Sequence, residues 1–203
     1  ISKLMLNSQI SAAIKNIHMH TEQRKIQEKV NDLMKNLTSS NLQLEIQSNT
    51  DELTQLLNRR GFYNKVDEIL KNSNEYEYPC EIIVFDLDGL KIINDNFGHK
   101  YGDIAISEFS KILTTTFQSY DAIARFGGDE FVVLAKNIPP KIILKKLIEI
   151  NKRTLEFTTN NPNKWKLSAS MGNVRISTDE NSDIDKLIEQ ADKVLYENKL
   201  SGR

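Results

Sequence analysis

The sequence predicts an α/β fold of the α+β kind: a mixed central sheet flanked by helices, with a long helical segment ahead of it. Three observations predict it. Residues 1–50 contain neither Gly nor Pro and carry apolar residues at heptad spacing. From residue 51 onward, short β-branched runs alternate with longer amphipathic segments, the texture of a layered sheet-and-helix domain. Gly127 and Gly128 separate two apolar runs, the mark of a tight hairpin. A chain of 203 residues holds one domain of ordinary size plus an appendage. The division expected is therefore a helical stalk over 1–50 and a folded domain over 51–203.

In the stalk, Leu6, Ile10, Ala13 and Ile17 form one apolar seam, and Ile26, Val30, Leu33 and Leu37 form a second that returns at Leu44. The seams differ in frame by one residue, which predicts a break or bend between His18 and Lys25. A helix with a narrow apolar stripe must cover it with a partner helix or with the rest of the chain, and the spacing favours a parallel dimeric coiled coil. His18 and His20 stand two apart and face different directions on a helix, unlike helical metal ligands. They read as surface or seam residues.

Thr50 or Asp51 is the expected N-cap of the stretch DELTQLLNRR, and Phe62 to Leu70 continues as helix up to the breaker Asn72, Ser73, Asn74. Glu81 to Phe85 is a short apolar run suited to a buried strand, and Asp103 to Phe117 an amphipathic helix after Gly102. Asp121 to Phe126 and Phe131 to Ala135 make two strands split by the glycine pair. Lys141 to Phe157 is helical after Pro139 and Pro140, Trp165 to Ile176 is strand material, and Asp183 to Lys199 is a last helix.

Composition narrows the function. A net charge of -1 gives no sequence-wide attraction to nucleic acid or an anionic membrane. Cys80 is the single cysteine, so neither an intrachain disulfide nor a cysteine zinc cage is available, and a cytoplasmic setting is expected. No run approaches the roughly 20 apolar residues of a membrane helix. The sequence opens on Ile1 rather than Met, so a sensor domain or a membrane anchor is expected upstream in a longer protein.

Two stretches carry chemistry. Asp86, Leu87, Asp88, Gly89, Leu90 and Lys91 follow directly on the first strand, where loops at a sheet edge hold ligands. Magnesium takes oxygen ligands and keeps substrate phosphates in its shell, so an Asp at a strand end beside a Gly makes a half-site. Alone, the pattern also fits an ordinary acidic turn. The second stretch is RFGGDEF at Arg125 to Phe131. Its glycines are expected to supply the positive torsions of a two-residue turn, with Asp129 and Glu130 at the tip. Adjacent acids do nothing for hairpin stability, because like charges repel; a bound cation would supply the reason.

These stretches resemble the GGDEF family of diguanylate cyclases. The match runs from about Asp51 to Arg203 through DELTQLLNRR, FDLDGLKIINDNFGHKYGD, RFGGDEF, SMG at Ser170 to Gly172, and ADKVLYENKLSGR. The resemblance implies a nucleotidyl-cyclase-like domain that condenses two GTP into cyclic di-GMP with release of pyrophosphate. It implies that Asp86, the Leu87 carbonyl and Asp129 bind two divalent ions per GTP, Mg2+ or in its place Mn2+. Glu130 is implied to activate the 3′-hydroxyl, as base or as a further metal ligand. Asn94 and Asp103 read the guanine edge, Leu53 lines the base pocket, and Gly89, Leu90 and Lys91 belong to the substrate loop. Lys199 and Arg203 hold the phosphates, one as a point charge and one as a fork.

The family's product-inhibition pair is an Arg and an Asp three residues apart; here Gln118 stands in place of the Arg while Asp121 is kept. Gln makes no charge-assisted fork on a phosphate, so weak or absent product inhibition is expected. Each domain binds one GTP, so two must meet face to face, and the stalk is expected to form the homodimer that brings them together. The alternative is a domain without turnover that senses GTP or cyclic di-GMP. The acids and cations above speak against it.

Overall fold

The computed structural model describes residues 2–71, 76–117, 121–162, 165–176 and 183–201, with side chains of the first helix continuous over 18–40. The chain divides into two compact units, residues 1–46 and 47–203. Helix α1, Ser2–Asn49, is continuous, so the expected break between His18 and Lys25 does not occur. That stretch has no helix breaker, and it is stapled by ion pairs of Lys25 with Glu22 and of Arg24 with Glu28. Ile26, Val30, Leu33 and Leu37 are each 43–60% exposed. The side chains of the first seam and of Leu44 lie outside the described residues. No helix among the described residues is long and apolar enough to cross a membrane.

The second unit runs α2 (Arg59–Lys71), β1 (Glu81–Leu87), α3 (Leu90–Phe97), α4 (His99–Thr116), β2 (Ala122–Arg125), β3 (Glu130–Ala135), α5 (Pro140–Asn160), β4 (Ala169–Arg175) and α6 (Ile184–Leu200). The strands order β2-β3-β1-β4, and every ladder is antiparallel. Among the described residues, parallel pairing is confined to an isolated bridge of Leu57, outside the strands of the sheet, with Ala124.

Strand β1 is buried on both faces, which is why its sequence is a continuous apolar run. On one face Ile83, Phe85 and Leu87 pack with Phe109, Leu113, Phe131 and Ile150 against α3, α4 and α5. Phe109 makes edge contacts to Phe85 at 5.7 Å and to Phe131 at 5.1 Å. On the other face Ile82, Val84 and Val132 pack with Phe62, Val66, Ala191 and Leu195 of α2 and α6. Each fully buried Phe contributes about 1.5–3 kcal/mol, so the two layers fix β1, and with it the strand end that carries Asp86.

Local signals place the remaining pieces. The N-cap of α2 is Asn58, whose Oδ1 accepts from Gly61 N at 2.9 Å, rather than Thr50 or Asp51. Asp51 instead closes its own turn by accepting from the Thr54 amide and hydroxyl at 2.9 and 2.7 Å. Helix α3 was not foreseen, because a single helical run of eight residues is too short to show a period. The hairpin also differs from expectation. The positive-φ glycines are Gly89 at 71° and Gly98 at 90°, not Gly127 or Gly128. Four residues, not two, join β2 to β3, and a loop of that length does not require the mirror-image turn.

Candidate active site

The site forms where β1 and β3 end side by side. Asp86 pairs with Glu130 in the antiparallel register, and Leu87 N donates to the Asp129 carbonyl at 3.0 Å. Asp86 and Glu130, 44 residues apart in sequence, thus meet at one end of the sheet's two central strands. Glu130 is exposed and Asp86, Asp129 and Asp88 are half-buried.

The hairpin tip is held through its backbone. Glu130 N donates to Gly127 O at 3.2 Å, and Arg125 Nε and Nη2 donate to Gly128 O at 3.2 and 2.9 Å. Arg125 is itself fixed by Asp51 at 3.2 Å. Burial pushes the Asp51 carboxyl up, but the Thr54 hydroxyl and amide, followed by Arg125, outweigh it and hold the group below the usual carboxylate range. A Cβ on Gly128 would meet nothing within 4 Å, and one on Gly127 only Glu130 Oε2 at 3.6 Å. Neither torsion nor packing within the chain calls for these two glycines.

Gly89, in the left-handed conformation, turns the strand end into α3, and no side chain caps that helix. The first-turn amides around Leu90 and Lys91 are the kind of donors that hold phosphate. Helix α6 supplies a cation: Lys199 Nζ lies 2.7 Å from Asp86 Oδ1. It can come so near because β4 carries Gly172, where a Cβ would lie 2.1 Å from Ala191 O and 2.4 Å from Leu195 N of α6. Asn198 Nδ2 also donates to Met171 O at 3.0 Å, tying the last turn of α6 to β4.

The α3–α4 corner holds the residues expected to read a base. Asn94 Oδ1 is buried without a hydrogen-bond partner among the described residues. Gly102 packs so tightly on that amide that a Cβ there would lie 2.0 Å from Oδ1. Asp103, the next residue, is exposed on α4. Leu53 is 38% exposed in the Asp51 turn.

Arg203 and Gln118 lie outside the described residues. Asp121 is buried, and its Oδ1 accepts from Lys136 N at 3.0 Å, so it is bound into the sheet edge.

Residues that sequence reasoning did not single out also belong here. Ser170 Oγ donates to Asp88 Oδ1 at 2.7 Å and steadies that carboxylate from β4. Arg59, Arg60 and Arg125 line a cavity of about 460 Å³ against Gly127 and Gly128. A second cavity, of about 420 Å³, reaches from Asp86 and Glu130 to Asp185, Glu189 and Asp192 of α6. The SMG and NRR segments were the available signals, but neither says which partner it meets.

The donor set fits a hard divalent cation: two carboxylates and a carbonyl, all oxygen, beside amides able to take the phosphates that complete such a shell. Among the described residues no group of three or more His, Cys, Asp or Glu side chains is placed to hold a metal ion.

Comparison with known proteins places the sequence and the fold. The sequence profile described as "Diguanylate cyclase, GGDEF domain" matches residues 48–203. The diguanylate cyclase DgcS of Shewanella oneidensis is 32% identical over 163 residues, 79% of this chain and 53% of that protein, so this chain spans about half the length of the relative. Among solved structures, the coiled coil and GGDEF domain of DgcB from Caulobacter crescentus, in complex with c-di-GMP, aligns with a TM-score of 0.75 at 24% identity, covering 86% of this chain and 93% of that one. The GGDEF domain of the same protein alone aligns with a TM-score of 0.67 at 26% identity, over 77% and 90%. With its signature at the β2–β3 hairpin and its profile match over residues 48–203, this chain belongs to the GGDEF domain family of diguanylate cyclases.

Proposed function

We propose that this chain is a catalytically competent diguanylate cyclase domain that binds one GTP and works as a pair. The observation that carries the proposal is the pairing of Asp86 with Glu130 at one end of the central strands, with Asp129 hydrogen-bonded through its carbonyl to Leu87. Asp86, the Leu87 carbonyl and Asp129 would hold the divalent ions. Bound there, magnesium supplies charge neutralisation on the triphosphate.

The chain's own groups do the rest. The amides at Leu90 and Lys91, with Lys199 and Arg203, bind and orient the phosphates. Asn94 Oδ1 accepts from a guanine N–H, and Asp103 accepts from the N1 and exocyclic amine pair that adenine does not offer together. Glu130 takes the proton of a 3′-hydroxyl as that oxygen attacks the α-phosphorus of the partner's GTP and pyrophosphate leaves. Two such steps, one in each direction, close the ring. The apolar row of α1 brings two copies together as a parallel coiled coil, which raises the effective concentration of one domain near the other. With Gln118 in place of Arg, product inhibition at the Asp121 position is weak.

Incubation with GTP and magnesium, with nucleotides resolved by chromatography, tests the reading. The parent chain is expected to form cyclic di-GMP and pyrophosphate, and Glu130→Gln to slow this by about 10²–10⁴-fold, the usual weight of a general base. Bound GTP with product from neither protein overturns the cyclase reading in favour of a nucleotide sensor.

A further inference from the structure

We propose that Lys199 holds the place of a divalent cation at Asp86 and releases that carboxylate only as a polyphosphate arrives, so that cation and nucleotide load the site together; this rests on reading Asp86 as a cation ligand. The Lys199 ammonium lies 2.7 Å from Asp86 Oδ1, the two side chains being 35% and 27% exposed. A partly buried pair is screened less than a surface one. A divalent ion entering at Asp86 would meet a positive charge on the same oxygen, and like charges at that range repel. The two compete for that carboxylate, and the ion's arrival favours the ammonium's departure.

Lys199 has somewhere to go. It also lines a cavity of about 490 Å³ with Asp88, Lys166, Ser170 and Asn198, which Asp86 does not line. The backbone of α6 is fixed to β4 by the Asn198–Met171 bond at 3.0 Å and by the close approach at Gly172, so the motion belongs to the side chain. A lysine is suited to it: a compact charge on a flexible four-carbon stem with three rotatable donors. A polyphosphate beside the α3 amides offers the ammonium a stronger partner than one carboxylate, and its departure frees Asp86. Because binding couplings are reciprocal, the same exchange makes nucleotide binding tighter when the cation is present.

The coupling is measured by Mn2+ titration of the full chain, with free Mn2+ read by electron paramagnetic resonance, with and without a non-hydrolysable GTP analogue. For Lys199→Gln, Mn2+ affinity in nucleotide-free protein is expected to rise about tenfold, as one nearby charge is removed, and the gain in Mn2+ affinity on adding the analogue is expected to shrink by a similar factor. Lys193→Gln, on an exposed position of the same helix, removes equal charge at a distance and is expected to change either quantity less than about twofold. Equal nucleotide-free Mn2+ affinity in wild type and Lys199→Gln overturns the inference. Asp86→Asn separates the two levels. If it abolishes Mn2+ binding while Lys199→Gln changes nothing, only the coupled loading fails. If Asp86→Asn leaves Mn2+ binding with the analogue intact, the cation-ligand reading itself fails.

Discussion

Asn94 Oδ1 is buried with no hydrogen-bond partner, and leaving such an atom unsatisfied costs about 1–3 kcal/mol. On the function proposed above, a guanine N–H would recover that energy, and the atom would then serve base selection as well as carry strain. Gly102 is its necessary neighbour. Helix propensity alone would favour Ala over Gly at this position by about 1 kcal/mol, yet a Cβ at Gly102 would lie 2.0 Å from Asn94 Oδ1 and must expel the amide. Gly102→Ala is therefore expected to leave the melting temperature level or slightly higher while raising the KM for GTP about tenfold, the worth of one hydrogen bond. Steady-state kinetics checks this; an unchanged KM would detach Asn94 from base recognition. Buried Glu81 follows the opposite logic, since Asn173 and Arg175 both donate to its carboxylate.

Among the elements, α6 and β4 decide whether the Lys199 ammonium reaches the strand end. Gly172 meets backbone atoms of α6 rather than the tip of a flexible side chain, so an added methyl group cannot be absorbed by a rotamer change. Gly172→Ala is expected to destabilise the domain by about 1–3 kcal/mol, read as a lower melting temperature, and to weaken GTP binding as Lys199 moves away from Asp86. A melting temperature equal to wild type would show that α6 yields without strain. Much of this was legible beforehand. The apolar run of β1, the amphipathic helices and the acidic pairs follow from period and residue type, although Asp86 lies within β1 rather than after it and Glu130 opens β3 rather than standing at the hairpin tip. What escaped is long-range pairing. The bonds from Asp51 to Arg125, from Ser170 to Asp88 and from Lys199 to Asp86 join residues 74, 82 and 113 positions apart, and no local pattern encodes which polar groups meet. Helix α3 was lost to its brevity, and the hairpin torsions were misread because its loop is four residues long rather than two.

Taken whole, the molecule separates stability from output. Residues 47–203 form one compact unit with a core on both faces of the sheet, so a chain lacking residues 1–46 is expected to fold with a similar melting transition. If the stalk pairs two copies as proposed above, specific activity should fall and become proportional to protein concentration, because that tether would be gone. Specific activity that stays equal to that of the full chain at every dilution would remove the stalk from the mechanism. The glycine pair of the hairpin adds a different lesson. With ordinary torsions and open space around Gly127 and Gly128, alanine at either position would restrict the unfolded chain and firm up the native state by about 0.4–1 kcal/mol. A genetic screen scored on soluble yield would therefore pass, or even enrich, alanine there. On the proposed activity, one scored on second-messenger output would reject it, and the disagreement between the two screens would map the surface that a substrate needs bare of side chains.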